Sequence, residues 1–268
     1  MTTTAAPRHR TARYTDVLRS EWTKARTVPS TGWTLLAGVA IGLSLGALIS
    51  GFAGRQYADG TPAVRAMWDP TSVSGASLVI AQLAIGVLGV LIITSEYATG
   101  AIRGALTVVP RRGRFLAAKA VVVAGLAFGA AETTAMVSFF IGQALMSGHA
   151  PTAALDQPDV LRAVVGCGLY GMVIGLLGLA LGVLLRHAAA AITVLVALLY
   201  VLPGLAAALP TSIERPVLKF WPTQAGQQIA NVVPGLHALS PWAGFGIMFA
   251  FVATLLAAAH FSIQRRDA

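Results

Sequence analysis

The chain has 268 residues, 56% of them hydrophobic and 11% charged, where an ordinary soluble domain carries about 25% charged residues. With a mean hydropathy of +0.74, it is built for lipid. A formal net charge of +9 would point to nucleic acid in a soluble protein. In a chain this apolar it reads as basic loops against anionic lipid, so no nucleic-acid partner is expected. Cys167 is the single cysteine and sits inside an apolar run. It forms no intrachain disulfide and says little about redox compartment. Arg outnumbers Lys sixteen to three, and Ala and Gly are abundant, which points to a GC-rich bacterial genome.

Residues 1–10 are polar and basic and read as a disordered tail. No cleaved signal peptide is expected, because the first apolar run begins near Gly32 and is too long for an h-region. Residues 13–26 between them read as an amphipathic helix. Tyr14, Val17, Leu18, Trp22 and Ala25 share one face, while Arg13, Arg19, Lys24 and Arg26 lie elsewhere. A basic helix with a Trp-bearing apolar face suits the membrane surface. Pro29 then interrupts it. Residues 1–30 therefore form a cytoplasmic tail with an interfacial helix, and 31–265 a transmembrane domain.

Six runs reach the length needed to cross the hydrocarbon core, about 20 apolar residues: 32–54, 71–95, 120–146, 163–185, 188–209 and 242–263. The fold class is all-α, a polytopic integral membrane protein with six transmembrane helices. Five runs carry no charge and the third holds Glu132. Pro203 in the fifth predicts a kink or an early stop. Gly38, Gly42 and Gly46 recur every four residues in the first run, and Gly171, Gly175, Gly178 and Gly182 form a stripe in the fourth. Small residues at this spacing let helices approach closely in lipid, either within the chain or across a dimer face.

The segment 96–119, between the second and third runs, holds five of the nineteen Lys and Arg residues. Residues 99–109 could form a short helix with Ile102, Leu106 and Val109 on one face, stopped by Pro110. Gly100 and Gly104 would give that helix a bare face. Arg103 is placed to pair with Glu96 or with an acid on a partner. Counting the N-terminal segment, this loop, Arg186 and the C-terminus together collects fourteen basic residues, against five on the other side. The split predicts both termini and the loop in the cytoplasm. Trp33 and Trp242 stand at span ends, as interfacial anchors should.

Glu132 is the one ionisable residue deep in a span, about 20 Å from either end at about 1.5 Å per residue. It either lines a translocation path or is a neutral Glu bonded to a nearby Thr or Ser. Thr133 and Thr134 are adjacent in sequence, and Gln82 sits mid-span in the second run. The connection 210–241 is too apolar for a free loop and reads as holding a short interfacial or re-entrant helix. The five histidines are scattered and none has a metal spacing such as HExxH, so no metal, cofactor or catalytic residue is expected. There is no GxxxxGK[ST] phosphate loop. If ATP drives this chain, its hydrolysis takes place on another one, and the chain itself is not an enzyme.

The run EYATGAIRGALTVVPRRGRFLAAK resembles the loop after the second span in bacterial ATP-binding-cassette type-2 permeases. Glu96, Tyr97, Thr99, Gly100, Arg103, Leu106, Arg111, Arg112 and Lys119 carry the likeness. The beginning, LRSEWTKARTVPSTGWTL, is similar to that family's amphipathic helix, with Glu21, Trp22, Lys24 and Arg26 in place, and the C-terminal span is similar too. Gly104 and Ala105 depart from the pattern, where many relatives have hydroxyl residues. The resemblance implies a permease half with six spans in the bacterial cytoplasmic membrane. It implies a second permease subunit, as homo- or heterodimer, and a cytoplasmic ABC ATPase docked on the loop. Glu96, Gly100, Ile102, Arg103, Leu106 and Val109 would be the coupling residues, in an exporter. The alternative is an ion-coupled secondary transporter, for which the lone Glu132 is thin support, or another integral membrane protein.

Overall fold

The computed structural model describes residues 14–27, 29–66, 68–101, 112–233, 235 and 238–266. The N-terminal tail and Ile102, Arg103, Leu106 and Val109 of the expected coupling segment lie outside the described residues. The described residues are helical, with no strand among them. Six spans are long and apolar enough to cross a membrane: Gly32–Ala58, Pro70–Ala98, Gly113–Met146, Val160–Leu185, Ala188–Ala206 and Pro241–Arg265. The protein is thus the all-α, six-span membrane protein its hydropathy predicts.

An N-terminal helix, Tyr14–Thr27, precedes the first span. Pro29 opens the next helix, where its missing N–H would have no partner anyway. Asp69 caps the second span, its Oδ1 accepting from the N–H groups of Thr71 and Ser72, both at 3.0 Å. The fifth span is distorted where Pro203 predicts it. A π-helical turn, Ala197–Val201, precedes the proline, and the Leu202 N–H reaches back to the Ala197 carbonyl. The helix then ends at Ala206, short of the expected 209.

The fourth span is the axis of the bundle. Its most apolar window is 72% buried, against 22% in the first, fifth and sixth spans. Glycines make this possible. A β-carbon at Gly178 would fall on the Gly86 carbonyl, and one at Gly89 on the Gly175 carbonyl. The second and fourth spans therefore meet backbone to backbone. In the first span, Gly42 packs on Ala81, Ser77 and Thr134, and Gly46 on Ser77 and Ser138. Both small-residue stripes are thus spent inside the chain.

The segment between the second and third spans is shorter than its charge pattern implies. The second-span helix runs to Ala98, and the third helix begins at Arg112. Glu96 and Lys119, expected as loop ends, sit inside helices because each neutralises the other. Gly100 is not part of a helical face: its φ of 70° places it in the left-handed region, ending the second-span helix as glycine typically does.

At the opposite end, the 210–241 connection carries the helices Thr211–Phe220 and Pro222–Gln227 and a 3-10 turn, Gln228–Ala230. Thr223, Ala225, Gly226 and Ile229 are buried. Gly226 packs on Met248 and the Ala225 carbonyl on Gly244, both of the sixth span. The Ile229 carbonyl lies on Gly166 of the fourth. Asp69 Oδ2 accepts from the N–H groups of Val232 and Val233 at 3.1 and 3.0 Å. The Arg162 guanidinium donates to the carbonyls of Ile229 and Asn231, each at 3.0 Å.

Candidate functional site

The N-terminal helix turns Val17 and Glu21, four residues apart, onto one face, and both are buried. An acid on the buried face needs a base, and Lys119 supplies it from two turns inside the third-span helix. Lys119 Nζ donates to Glu21 Oε2 at 2.6 Å and to Glu96 Oε1 at 2.8 Å. Lys24, one turn beyond Glu21, donates to Glu21 Oε1 at 2.7 Å and to Glu96 Oε1 at 3.1 Å. Two carboxylates and two ammonium groups thus close a ring with no net charge. The Lys119 side chain is 1% exposed and that of Glu21 4%, while that of Lys24 is 48%. Lys119 also lies 5.0 Å from the centre of the Phe115 ring.

Burying a single ion costs several kcal/mol, and only close geometry with multiple hydrogen bonds offsets it. Glu21 meets that condition with both oxygens. Glu96 meets it with one: its Oε2 is buried and makes no hydrogen bond. Partial burial disfavours the charged form of Lys24. The hydrogen bond and field of Glu21, joined by those of Glu96, outweigh this and hold its pKa above the ordinary lysine value.

The ring ties together the N-terminal helix, the last turn of the second-span helix and the first turns of the third. It therefore joins the helices on either side of residues 99–111 to one another. A further contact comes from the turn between the fourth and fifth spans. Arg186, in a left-handed conformation with φ of 57°, sets its guanidinium 5.4 Å from the centre of the Tyr97 ring. Beside the ring lies a cavity of about 390 Å³, lined by the four charged residues and by Leu88, Leu91, Ile92 and Val122, among others.

The residues singled out in the sequence fall in different places. Glu96 is part of the ring. Gly100 terminates the helix below it. Ile102, Arg103, Leu106 and Val109 lie outside the described residues. Gln82 is buried in the second span and accepts a hydrogen bond from the Tyr170 hydroxyl at 2.7 Å. Glu132, on the third span, packs against Gly168 of the fourth. Thr134 is not its partner, because that hydroxyl donates to the Ala130 carbonyl at 2.7 Å. Glu132 Oε2 makes no hydrogen bond. The two intramembrane polar residues thus engage different residues of the fourth span. Among the described residues, no group of three His, Cys, Asp or Glu is placed to hold a metal ion.

The pairing of Glu21 with Lys119 was hidden in the sequence, though a signal existed. Glu21 follows Val17 at helical spacing, on the side of the helix that must face something. Lys119 stands at the threshold of an apolar run. Asp69, which joins the second span to the 221–233 segment, carried no comparable sign.

A comparison with curated proteins finds no match. A family model described as ABC-2 family transporter protein matches residues 17–204. The match begins within the N-terminal helix, includes all four charged residues of the ring and ends in the fifth span. The six apolar spans and this match agree, and the chain belongs to the ABC-2 transporter family, as a multi-pass membrane permease.

Proposed function

We propose that this chain is the transmembrane half of an ATP-driven exporter in the bacterial cytoplasmic membrane. ATP is hydrolysed on a separate cytoplasmic ABC subunit. The segment between the second and third spans is the coupling element, and Ile102, Leu106 and Val109 form its apolar contact ridge. Both termini and this segment are cytoplasmic, and the chain pairs with a second permease subunit. The observation that carries the reading is the buried ring of Glu21, Lys24, Glu96 and Lys119. A segment that receives force from a motor needs a stiff mounting. Here the two ends of residues 99–111 are clamped to one another and to the interfacial helix by ion pairs of 2.6 to 3.1 Å. A segment that served only as a topology signal would need no such base.

The test is a co-purification with the ATPase encoded beside this chain. Leu106→Asp puts an unpaired charge into the proposed contact. It should weaken association by about tenfold or more, since a desolvated charge without a partner costs well over 1.4 kcal/mol. ATPase stimulation should fall in parallel while the six spans still insert. Arg112→Gln, a charge at the rim, should change association by less than about 1 kcal/mol. Normal co-purification and transport by Leu106→Asp would overturn the docking assignment.

A further inference from the structure

The helix Thr211–Phe220 carries an apolar stripe that nothing in the described chain covers. Ile213, Val217 and Phe220 fall at i, i+4 and i+7, on one side. None of its ten residues is buried, and Ile213 and Phe220 are 50% and 56% exposed. Arg215 and Lys219, one turn apart, lie on the other side of the helix. With Glu214 and Leu218 they line a pocket of about 260 Å³, shared with Gln224 and Gln228 among others.

The helix does not stand clear of the bundle. Trp221, the residue after it, donates its indole N–H to the Leu198 carbonyl at 3.0 Å. That carbonyl lies eight residues before Ala206, where the fifth-span helix ends, so about 12 Å inside that end at about 1.5 Å per residue. It is free to accept because the Leu202 N–H goes to Ala197 in the π-helical turn and Pro203 has no N–H. Shortly afterwards Gly226 packs on Met248, seven residues into the sixth-span helix. The chain thus leaves the fifth span and turns back alongside the last turns of that span and the first turns of the sixth. The stripe continues the apolar surface of Val201, Leu202, Leu205 and Leu209 just before it, all four exposed.

We propose that the stripe of Ile213, Val217 and Phe220 is embedded in lipid, in the leaflet at the end of the bundle away from the charge ring. Arg215 and Lys219 lie on the side of headgroups and water. Basic residues opposite bulky apolar ones are the mark of a helix lying in a membrane interface. Lys219 sets its ammonium 5.8 Å from the centre of the Phe220 ring, and its long stem lets the charge reach the headgroups from an apolar flank. A second permease subunit is the rival occupant. One stripe on a helix about 15 Å long falls far short of the roughly 800 Å² per partner that a stable interface buries. The proposal rests on the chain spanning a bilayer, and not on any ATPase or on which end is cytoplasmic.

The test is spin labelling of the full chain in vesicles of phosphatidylcholine and phosphatidylglycerol. Single cysteines replace Ile213, Phe220 and Arg215 in turn, in a Cys167→Ala background. Collisions with oxygen, which concentrates in lipid, are compared with those of a water-soluble nickel chelate present on both sides of the membrane. The oxygen-to-nickel ratio should be several-fold higher at positions 213 and 220 than at 215. All three side chains are exposed, so labelling should leave the thermal midpoint unchanged. Val217→Cys replaces any position whose label lowers it. Nickel collisions at 213 and 220 that match those at 215 would place the stripe in water and overturn the proposal. Low collision rates with both reagents at 213 and 220 would mean that protein covers the stripe, which overturns it in favour of a second subunit.

Discussion

Lys119 touches two buried carboxylates, and its removal would leave Glu21 and Glu96 with only half-exposed Lys24 between them. Lys119→Met should therefore cost about 3–5 kcal/mol, the usual penalty for stripping one partner from a buried ion pair. The measurement is the thermal midpoint of the purified protein. The Glu21→Gln, Lys119→Met double variant should recover part of the loss, because it removes a carboxylate along with its base. An unchanged midpoint in Lys119→Met would mean the ring does not hold the helices. Lys24 carries a pH dependence of its own. Its raised pKa contributes stability that is fully present below 10.5, its unperturbed value, and is lost as pH rises through the folded-state value. Lys24→Gln should therefore trail the unaltered protein at neutral pH and converge with it in strong alkali. Glu132 calls for a different comparison. Glu132→Gln keeps hydrogen-bonding capacity beside Gly168 and should fold and transport better than Glu132→Leu. Intact transport and assembly in both variants would deny Glu132 a special role, and a stable but inactive Gln variant would favour proton coupling.

Between elements, the close approach of the second and fourth spans is where packing is least forgiving. Gly178→Ala would press a methyl group onto the Gly86 backbone, and overpacking of this kind costs about 1–3 kcal/mol. The third-span Gly129 has open space around it. Gly129→Ala should be neutral or stabilise by up to about 1 kcal/mol through helix propensity. The comparison is read from thermal midpoints in one detergent. Similar values for the two variants would mean that the spans separate more easily than the structure implies. The glycine stripes of the first and fourth spans are occupied within the chain, so a second permease subunit would have to use other surfaces. Trp33, Leu36, Ile41, Leu48 and Phe52 of the first span are exposed and face either lipid or such a partner.

For the whole molecule, orientation decides which end of the bundle meets the motor. The N-terminal helix, the end of the second-span helix, the start of the third and Arg186 share one end, held together by the ring and by Arg186 over Tyr97. The fourteen-to-five division of basic residues is the ground for proposing that this end is the cytoplasmic one. In a Cys167→Ala background, Arg112→Cys and Asp59→Cys should label with a membrane-impermeant thiol reagent from opposite sides. Labelling of both in intact cells would reverse or break the topology.

Hydropathy alone determined the class, the six spans and the site of the Pro203 distortion. A hydrocarbon core about 30 Å thick demands long apolar helices whatever their neighbours are. The amphipathic N-terminal helix was legible for the same reason, since its pattern is local. The sequence also marked Glu96 and Lys119 as the edges of a basic loop, which is how isolated charges behave next to a membrane. Tertiary structure decided otherwise. Glu21 and Lys119 are 98 residues apart in the chain, and only their meeting lets both leave water and the helices run on past them. Gly86 and Gly89 likewise carried no stripe of their own to notice, and their importance appears only against Gly175 and Gly178. Asp69 joins Thr71 and Ser72 to Val232 and Val233 across more than 160 residues. Burial of a charge or a bare backbone is stable only with a partner in place, and local sequence carries no record of which distant residue that partner will be.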